Sequence, residues 1–376
     1  MSAEEGATRL HTAKRIIVKI GSTLLVESES VRAEWLDNLV GDITRMRRAG
    51  QEVVLVSSGA IALGRAKLGP ERPRKLEEKQ AAAALGQPLL MSALAAAFGA
   101  HQISVAQALL TLDDTETRRR WLNARATLET LLRAGAVPII NENDTIATDE
   151  IRYGDNDRLA ARVAQMLGAD LLILLSDVDG LYSADPRRDA SAQHIPHLTE
   201  ITPAYEAMAS GANRDAAVGS GGMTTKLMAA KIAFQAGCAT VITAGDRPHP
   251  IAALHGDARA TWIHPPLTPD KAREIWLRGH LTPEGALIVD AGAAHALRQG
   301  ASLLPVGLVD IDGRFDRGAA VAIKDTSGTT IAKGVTAYSA DDAERIKGLQ
   351  SEAVAETLGV RGRPALVHRD DLVLEP

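Results

Sequence analysis

The chain has one cysteine in 376 residues, Cys238. A single cysteine excludes an intramolecular disulfide and a thiolate metal cluster. Its setting, FQAGCATVIT, reads as the start of a buried strand, so an inert core thiol is expected. Aromatic residues are scarce as well, at 3%. The core must therefore be built from Ala, Val, Leu and Ile, which suits parallel strands packed against alanine-rich helices. The same scarcity leaves no evident platform for stacking nucleobases. Positive charge is not in excess: 42 Lys and Arg against 47 Asp and Glu leave a net charge of −5. That balance argues against a protein held on nucleic acid by a basic surface. The opening MSAEEGATRLHTAKR has no apolar segment and no signal-peptide pattern, so a cytoplasmic location is expected. Long uncharged runs are also rare. Ala81–Ala100, AAAALGQPLLMSALAAAFGA, is twenty residues without a charge, the length a bilayer requires. Because it is rich in alanine and contains Gln87, Pro88 and two glycines, a buried helix is expected there instead.

What the chain does contain is a repeated alternation. Arg15–Gly21 (RIIVKIG), Glu52–Gly59 (EVVLVSSG), Ile103–Thr111, Val137–Asp144 (VPIINEND), Ala169–Asp177 and Cys238–Gly245 are short, rich in β-branched residues or leucine, and end in glycine or polar residues. These are the marks of buried strands. Helical patterns lie between them over Ala33–Ala49, Glu78–Phe98, Glu116–Ala134, Asp157–Leu167 and Thr224–Ala236. Such alternation predicts an α/β three-layer sandwich with a mainly parallel central sheet. Ligands in these sheets bind at the carboxyl ends of the strands. After about Ile263 the texture changes. Residues 263–283 hold four prolines and read as a linker with one short helix, and 284–376 read as short strands with Gly/Asp turns. The expected organisation is a catalytic domain over 1–262, a linker over 263–283 and a small, mostly β domain over 284–376.

Several strand ends carry residues suited to chemistry. GSGGMTTK (Gly219–Lys226) lacks the glycine that a Walker A loop needs before its lysine, since Thr225 stands there. Its glycines still let backbone N–H groups approach an anion, and Thr224 and Thr225 open a helix whose N-terminus favours negative charge. An anion loop and a plain threonine-capped turn are both compatible with this segment. NENDTIATDEIRYGDNDRLAA (Asn141–Ala161) follows a buried strand and ends in Asp155-Asn156-Asp157, which begin a helix. These side chains suit a substrate ammonium, a magnesium ion or lysines of a transfer site; helix capping alone is the plainer role. Lys19 interrupts an otherwise apolar strand and so needs a partner or ligand. Ser57, Ser58 and the N–H groups of Gly59 and Ala60 form a strand-to-helix turn able to bind a carboxylate. Ser176–Arg187 (SDVDGLYSADPR) suits a nucleotide base and ribose, or a simple turn. His194 and His197, around Ile195-Pro196, are expected to be exposed on a proline loop rather than to hold a metal.

Taken in order, VKIGST, VSSGAIALGR, KQAAAALGQ, LNARATL, PIINENDTI, GDNDRLAA, SDVDGLYSADPR and GSGGMTTK resemble the amino-acid kinase family, and within it the members that phosphorylate glutamate. The tail resembles a PUA domain. The resemblance implies that Lys19 and Lys226 touch the transferred phosphoryl group and that Asp157 orients them. It implies glutamate binding by Ser58, Asp144 and Asn156, with Asn141, Gly59, Ala60 and Asp155 close by. It further implies ATP binding by Ser176, Asp177 and the run Ser220, Gly221, Gly222, Met223, Thr224, Thr225 and Lys226. Mg²⁺ would arrive with ATP, and no direct metal ligand is assigned. Feedback inhibition by proline, a homo-oligomer and handover to the next reductase of proline synthesis are also implied. Ser176 and Ser220 stand where many relatives have threonine, and both keep the hydroxyl. Kinases of aspartate, acetylglutamate or uridylate share the fold, and an RNA-binding protein acting through its tail is the reading from another class. The β-rich tail favours glutamate, and the acidic balance disfavours RNA.

Overall fold

Each of the six apolar runs forms a strand. We label them β1 (Arg15–Ile20), β2 (Glu52–Val56), β3 (Val105–Leu110), β4 (Val137–Glu142), β5 (Leu171–Ser176) and β7 (Ala239–Ala244). Two further strands, β6 (His197–Leu198) and β8 (Ala260–Ile263), complete an eight-stranded sheet in the order β6–β8–β7–β5–β1–β2–β4–β3. Every neighbouring pair is parallel except β7 with β8. Sequence reading did not anticipate β6 and β8, because segments of two and four residues are too short to show a period. The computed structural model describes residues 3–69, 73, 75–147, 155–211, 222–256, 258–359 and 364–375. They form two compact units, Met1–Pro269 and Asp270–Pro376.

Helices cover both faces of this sheet: α1 (Ala3–Thr12), α2 (Ala33–Arg48), α3 (Ala60–Leu68), α4 (Leu76–Gly99), α5 (Arg118–Arg133), α6 (Asp155–Leu167), α7 (Pro203–Gly211) and α8 (Met223–Gln235). The period of two along β1 separates the layers. Ile16, Val18 and Ile20 join one core with Trp35, Leu39 and Ile43 of α2. Ile17 joins the other, with Leu159 and Val163 of α6 and Leu227 of α8. Lys19 shares the face of Ile17, so alternation alone directs it toward α6 and α8.

All but the last residue of the uncharged stretch lies in α4, and the expectation of a buried helix needs correction. Ala82, Ala83, Gly86, Leu90, Leu94, Ala97 and Phe98 are buried, but Leu85 and Leu89 are 43% and 42% exposed. The helix is long and apolar enough to cross a membrane by length and composition, and it is buried along one side only. That side crosses α3 backbone to backbone. A Cβ on Gly64 would lie 1.9 Å from the Ala82 carbonyl oxygen, and one on Gly86 would lie 1.8 Å from that of Ala60. Only glycine at both positions permits the crossing.

In the second unit, β9 (Gly285–Val289), β10 (Leu308–Asp312), β11 (Ala320–Asp325), β12 (Thr330–Val335) and β13 (Leu372–Leu374) form a sheet in the order β10–β9–β11–β12–β13. Only β9 with β11 is parallel. Its core contains Leu287, Val321, Ile323, Leu366 and Val367. Helices accompany the sheet at Ala291–Arg298, Ala340–Ile346 and Ser351–Leu358. The first follows β9 directly, because the Asp290 carboxylate accepts the Ala293 N–H at 2.7 Å and caps it.

Candidate active site

Two clusters meet at the start of α6. The first surrounds Asp157, which is fully buried. Lys19 Nζ of β1 lies 2.6 Å from Asp157 Oδ1, and Lys226 Nζ of α8 lies 3.8 Å from Oδ2. Both lysines are buried. Thr225 Oγ1 donates to Asp157 Oδ2 at 2.8 Å. The buried lysine on β1 thus has the partner its apolar setting demands. Burial disfavours ionised Asp157, but Lys19 and Lys226 beside it, with hydrogen bonds from Lys19 and Thr225, outweigh burial and hold its carboxyl below the usual range. Burial pulls the Lys226 ammonium pKa down; Asp157 opposes that, Lys19 adds to it, and Asp177 opposes it weakly. Two ammonium groups against one carboxylate leave a net positive centre next to the carboxyl end of β1. Such a centre is suited to phosphoryl oxygens.

The second cluster is a chain of amides. Asn156, one residue before Asp157, donates from Nδ2 to Ser58 Oγ at 3.0 Å and to Asn141 Oδ1 at 3.1 Å. Asn141 Oδ1 also accepts the backbone N–H of Glu142 at 2.9 Å, and its Nδ2 donates to Gln87 Oε1 of α4 at 2.8 Å. Asn156 Oδ1 and Gln87 Nε2 are buried with no hydrogen-bond partner among the described residues. Ser58 lies after β2, next to Gly59, whose φ of +104° opens α3 at Ala60. The left-handed turn and the 2.8 Å that would separate a Gly59 Cβ from Val26 Cγ2 both require glycine there. The N–H groups that start α3 therefore lie beside the Ser58 hydroxyl, a setting that favours a carboxylate. Ser57 is buried, and its N–H donates to the Ile140 carbonyl at 2.9 Å.

Other expected site residues are placed as follows. Ser176 is buried at the end of β5, and its hydroxyl donates to Asp177 Oδ1 at 3.0 Å. Asp177 is 44% exposed, with Arg187 Nη2 3.9 Å from its Oδ2. Gly222 caps α8 in an extended conformation, Met223 is buried, and Thr224 Oγ1 donates to the Ala209 carbonyl at 3.2 Å. Helix α8 starts at Met223, one residue earlier than the sequence pattern implied. Asp144 lies in the turn after β4. Ser220 and Gly221 lie outside the described residues, as does the side chain of Asp155, although its backbone opens α6.

Sequence reasoning gave Gln87 no role of its own: it entered as a polar break in an apolar run and as the last residue of KQAAAALGQ. The two histidines differ from expectation. Both are half-buried in two-residue strands rather than exposed. His194 packs edge-on against Tyr182, and His197 stacks on His264 with Nδ1 3.2 Å from its partner's Nε2. Among the described residues no group of three His, Cys, Asp or Glu could hold a metal ion. Cys238 is buried immediately before β7, and burial pushes its thiol pKa far up.

Residues 14–244 match the family model described as "Amino acid kinase family", and residues 285–358 match "PUA domain". The chain is 56% identical over 368 residues to "Glutamate 5-kinase" of Paramagnetospirillum magneticum, covering 97% of this chain and 99% of that one. It is 55% identical over 376 residues to "Glutamate 5-kinase" of Caulobacter vibrioides, with 99% of each chain covered. "Glutamate 5-kinase 1" of Rhizobium meliloti is 53% identical over 367 residues, 97% of this chain and 93% of that one. By both the family match and these full-length relatives, the chain belongs to the amino acid kinase family and carries a PUA domain after its kinase region.

Proposed function

We propose that this chain is a phosphotransferase that moves the γ-phosphoryl group of ATP to the γ-carboxylate of L-glutamate, the first step of proline biosynthesis. Relatives at 53–56% identity over nearly the whole chain support the activity. The observation that carries the residue assignment is the adjacency of the two clusters. A zwitterion suits Ser58, Asn156 and the start of α3, while a transferring phosphoryl group suits the lysines on Asp157, one residue further along α6.

The chemistry follows from charge. A carboxylate is ionised at neutral pH and needs no general base. Its oxygen forms a bond to the γ-phosphorus as the bond to the bridging oxygen of ADP breaks, giving γ-glutamyl 5-phosphate and ADP. Catalysis is then alignment and neutralisation of oxygen charge. In this reading Lys19 and Lys226 take the phosphoryl oxygens, and Asp157 holds them at fixed separation while opposing the effect of burial on Lys226. Gly59 and Ala60 N–H groups and the Ser58 hydroxyl take the α-carboxylate. Asn156, Asp144 and Asp155 take the ammonium end, with Asn141 close behind Asn156. ATP lies along Ser176, Asp177 and the segment Ser220–Lys226.

A divalent metal, Mg²⁺ in this proposal, accompanies ATP and supplies further charge neutralisation. The half-exposed Asp177 carboxylate, beside Ser176 and 3.9 Å from Arg187, would be the side chain open to such a metal. Proline is proposed to inhibit by competing at the glutamate end. A homo-oligomer and transfer of the labile product to a following reductase are further proposals. The test is incubation with ATP, Mg²⁺ and glutamate, with acyl phosphate trapped by hydroxylamine. Glutamate-dependent hydroxamate is expected, and its absence would defeat the assignment.

A further inference from the structure

The amide chain beside the lysine centre has a fixed polarity. The backbone N–H of Glu142 can only donate, so the Asn141 atom that accepts it must be Oδ1. Asn141 therefore points its amide nitrogen at Gln87, which answers with Oε1 at 2.8 Å. Asn141 Oδ1 in turn receives Asn156 Nδ2, which also donates to Ser58 Oγ. Two consequences reach the substrate end. Ser58 already accepts, so its proton is available for a ligand. Asn156 is left with Oδ1, a buried acceptor with no partner among the described residues.

An unpaired buried acceptor is costly unless a ligand supplies a donor. An α-ammonium beside a carboxylate that takes the Ser58 hydroxyl supplies it. The orientation of Asn156 depends on Asn141. Asn141 is 2% exposed, and the acceptor recorded for its Nδ2 is Gln87 Oε1. Without that oxygen the Asn141 Nδ2 loses its acceptor and only the Glu142 N–H still anchors Oδ1, so the Asn141 amide can tilt and its hold on Asn156 Nδ2, and with it the Asn156–Ser58 bond, loosens. The Gly64–Gly86 crossing brings α4 close to α3, the helix that begins just after Ser58, and Gln87 is the next residue after Gly86.

We propose that Gln87 is a positioning residue for the amino-acid substrate: through Asn141 it holds Asn156 with its carbonyl oxygen presented to the α-ammonium. This rests on the glutamate-kinase reading above. It adds a residue on α4 whose role is to define which end of the zwitterion goes where.

The experiment uses the full chain and two variants. Gln87→Met keeps length and removes the acceptor, and Gln87→Glu keeps an acceptor oxygen. Initial rates by hydroxamate trapping give kcat and KM for glutamate and for ATP, and thermal melts report folding. Gln87→Met is expected to raise glutamate KM at least tenfold, leave ATP KM within about twofold, and melt near the parent. Gln87→Glu should recover glutamate KM to within about threefold of the parent. The proposal is overturned if Gln87→Met leaves glutamate KM unchanged, if ATP KM rises in parallel, or if Gln87→Glu is as impaired as Gln87→Met. If Gln87→Met does not fold, the Gln87→Glu comparison with Asn141→Leu decides: intact KM in the first and a raised glutamate KM in the second support the relay, and any other pattern overturns it. Failure of the parent enzyme to form glutamate-dependent hydroxamate would defeat the functional reading itself. A competent parent with indifferent Gln87 variants would defeat only this inference.

Discussion

Asp157→Asn is the most informative single change, because one carboxylate serves two buried ammonium groups, at 2.6 Å and 3.8 Å. Asparagine keeps the shape and the acceptor for Thr225 but removes the charge. Breaking a buried ion pair from one side costs about 3–5 kcal/mol. At roughly 2 °C per kcal/mol for a unit of this size, the melting temperature should fall by about 5–10 °C. The rate effect is larger. Burial already lowers the Lys226 pKa, and Asp157 is the main group opposing it. Its loss lets one lysine give up its proton, which removes one cation from the transition state. A single lost electrostatic partner of this kind costs about 100- to 1,000-fold in kcat. The pH profile supplies the sharper test. Activity needs a protonated Lys226, and the variant lowers its pKa further, so the alkaline fall in kcat should come at lower pH than in the parent. Steady-state rates by hydroxamate trapping at each pH would measure this. A variant with kcat within about threefold of the parent and an unchanged profile would refute the reasoning.

Lys226→Ala should lower kcat by orders of magnitude with little change in glutamate KM, because the lysine faces the phosphoryl end of the proposed site; steady-state kinetics with glutamate varied will check it. Gly86→Ala drives a methyl group into the Ala60 carbonyl, 1.8 Å from the new carbon, and should destabilise by about 3 kcal/mol or more, read from denaturant unfolding. Asp157 has a depressed folded-state pKa, so its contribution to stability is complete above the unfolded value of about 4 and is lost as pH falls through the folded value. Acid unfolding of the parent should therefore steepen below about pH 4, and Asp157→Asn should lack that component. Cys238 is buried with its thiol pKa raised, so a thiol reagent at pH 8 should label the unfolded chain and leave the native one unmodified.

Much of the first unit is legible from local pattern. The apolar runs that became β1, β5 and β7 needed no tertiary information, since strands buried on both faces read as continuous apolar segments. Where pattern failed, the elements were short, as in β6 and β8, or the exposed side was as apolar as the buried one, as in α4 with Leu85 and Leu89. Neither leaves a period that can be counted. The candidate site divides in the same way. Lys19 stood out because a charge within an apolar strand is costly, and Ser58 and Gly59 because they turn a strand into a helix. Gln87 did not, because a single amide in an alanine-rich helix has no local signature.

By itself the sequence determined the alternation of strand and helix, the strand ends at which polar residues gather, and the need of Lys19 for a counter-charge. The tertiary structure decided which counter-charge that is. The parity of β1 turns Lys19 toward α6, where Asp157 lies in the first turn and also meets Lys226 of α8. It likewise decided that Gln87 completes the amide chain, through a crossing that two glycines permit. Propensity and burial act on neighbours along the chain, whereas hydrogen bonds and ion pairs depend on angstrom-scale distances between segments that only the folded sheet brings together.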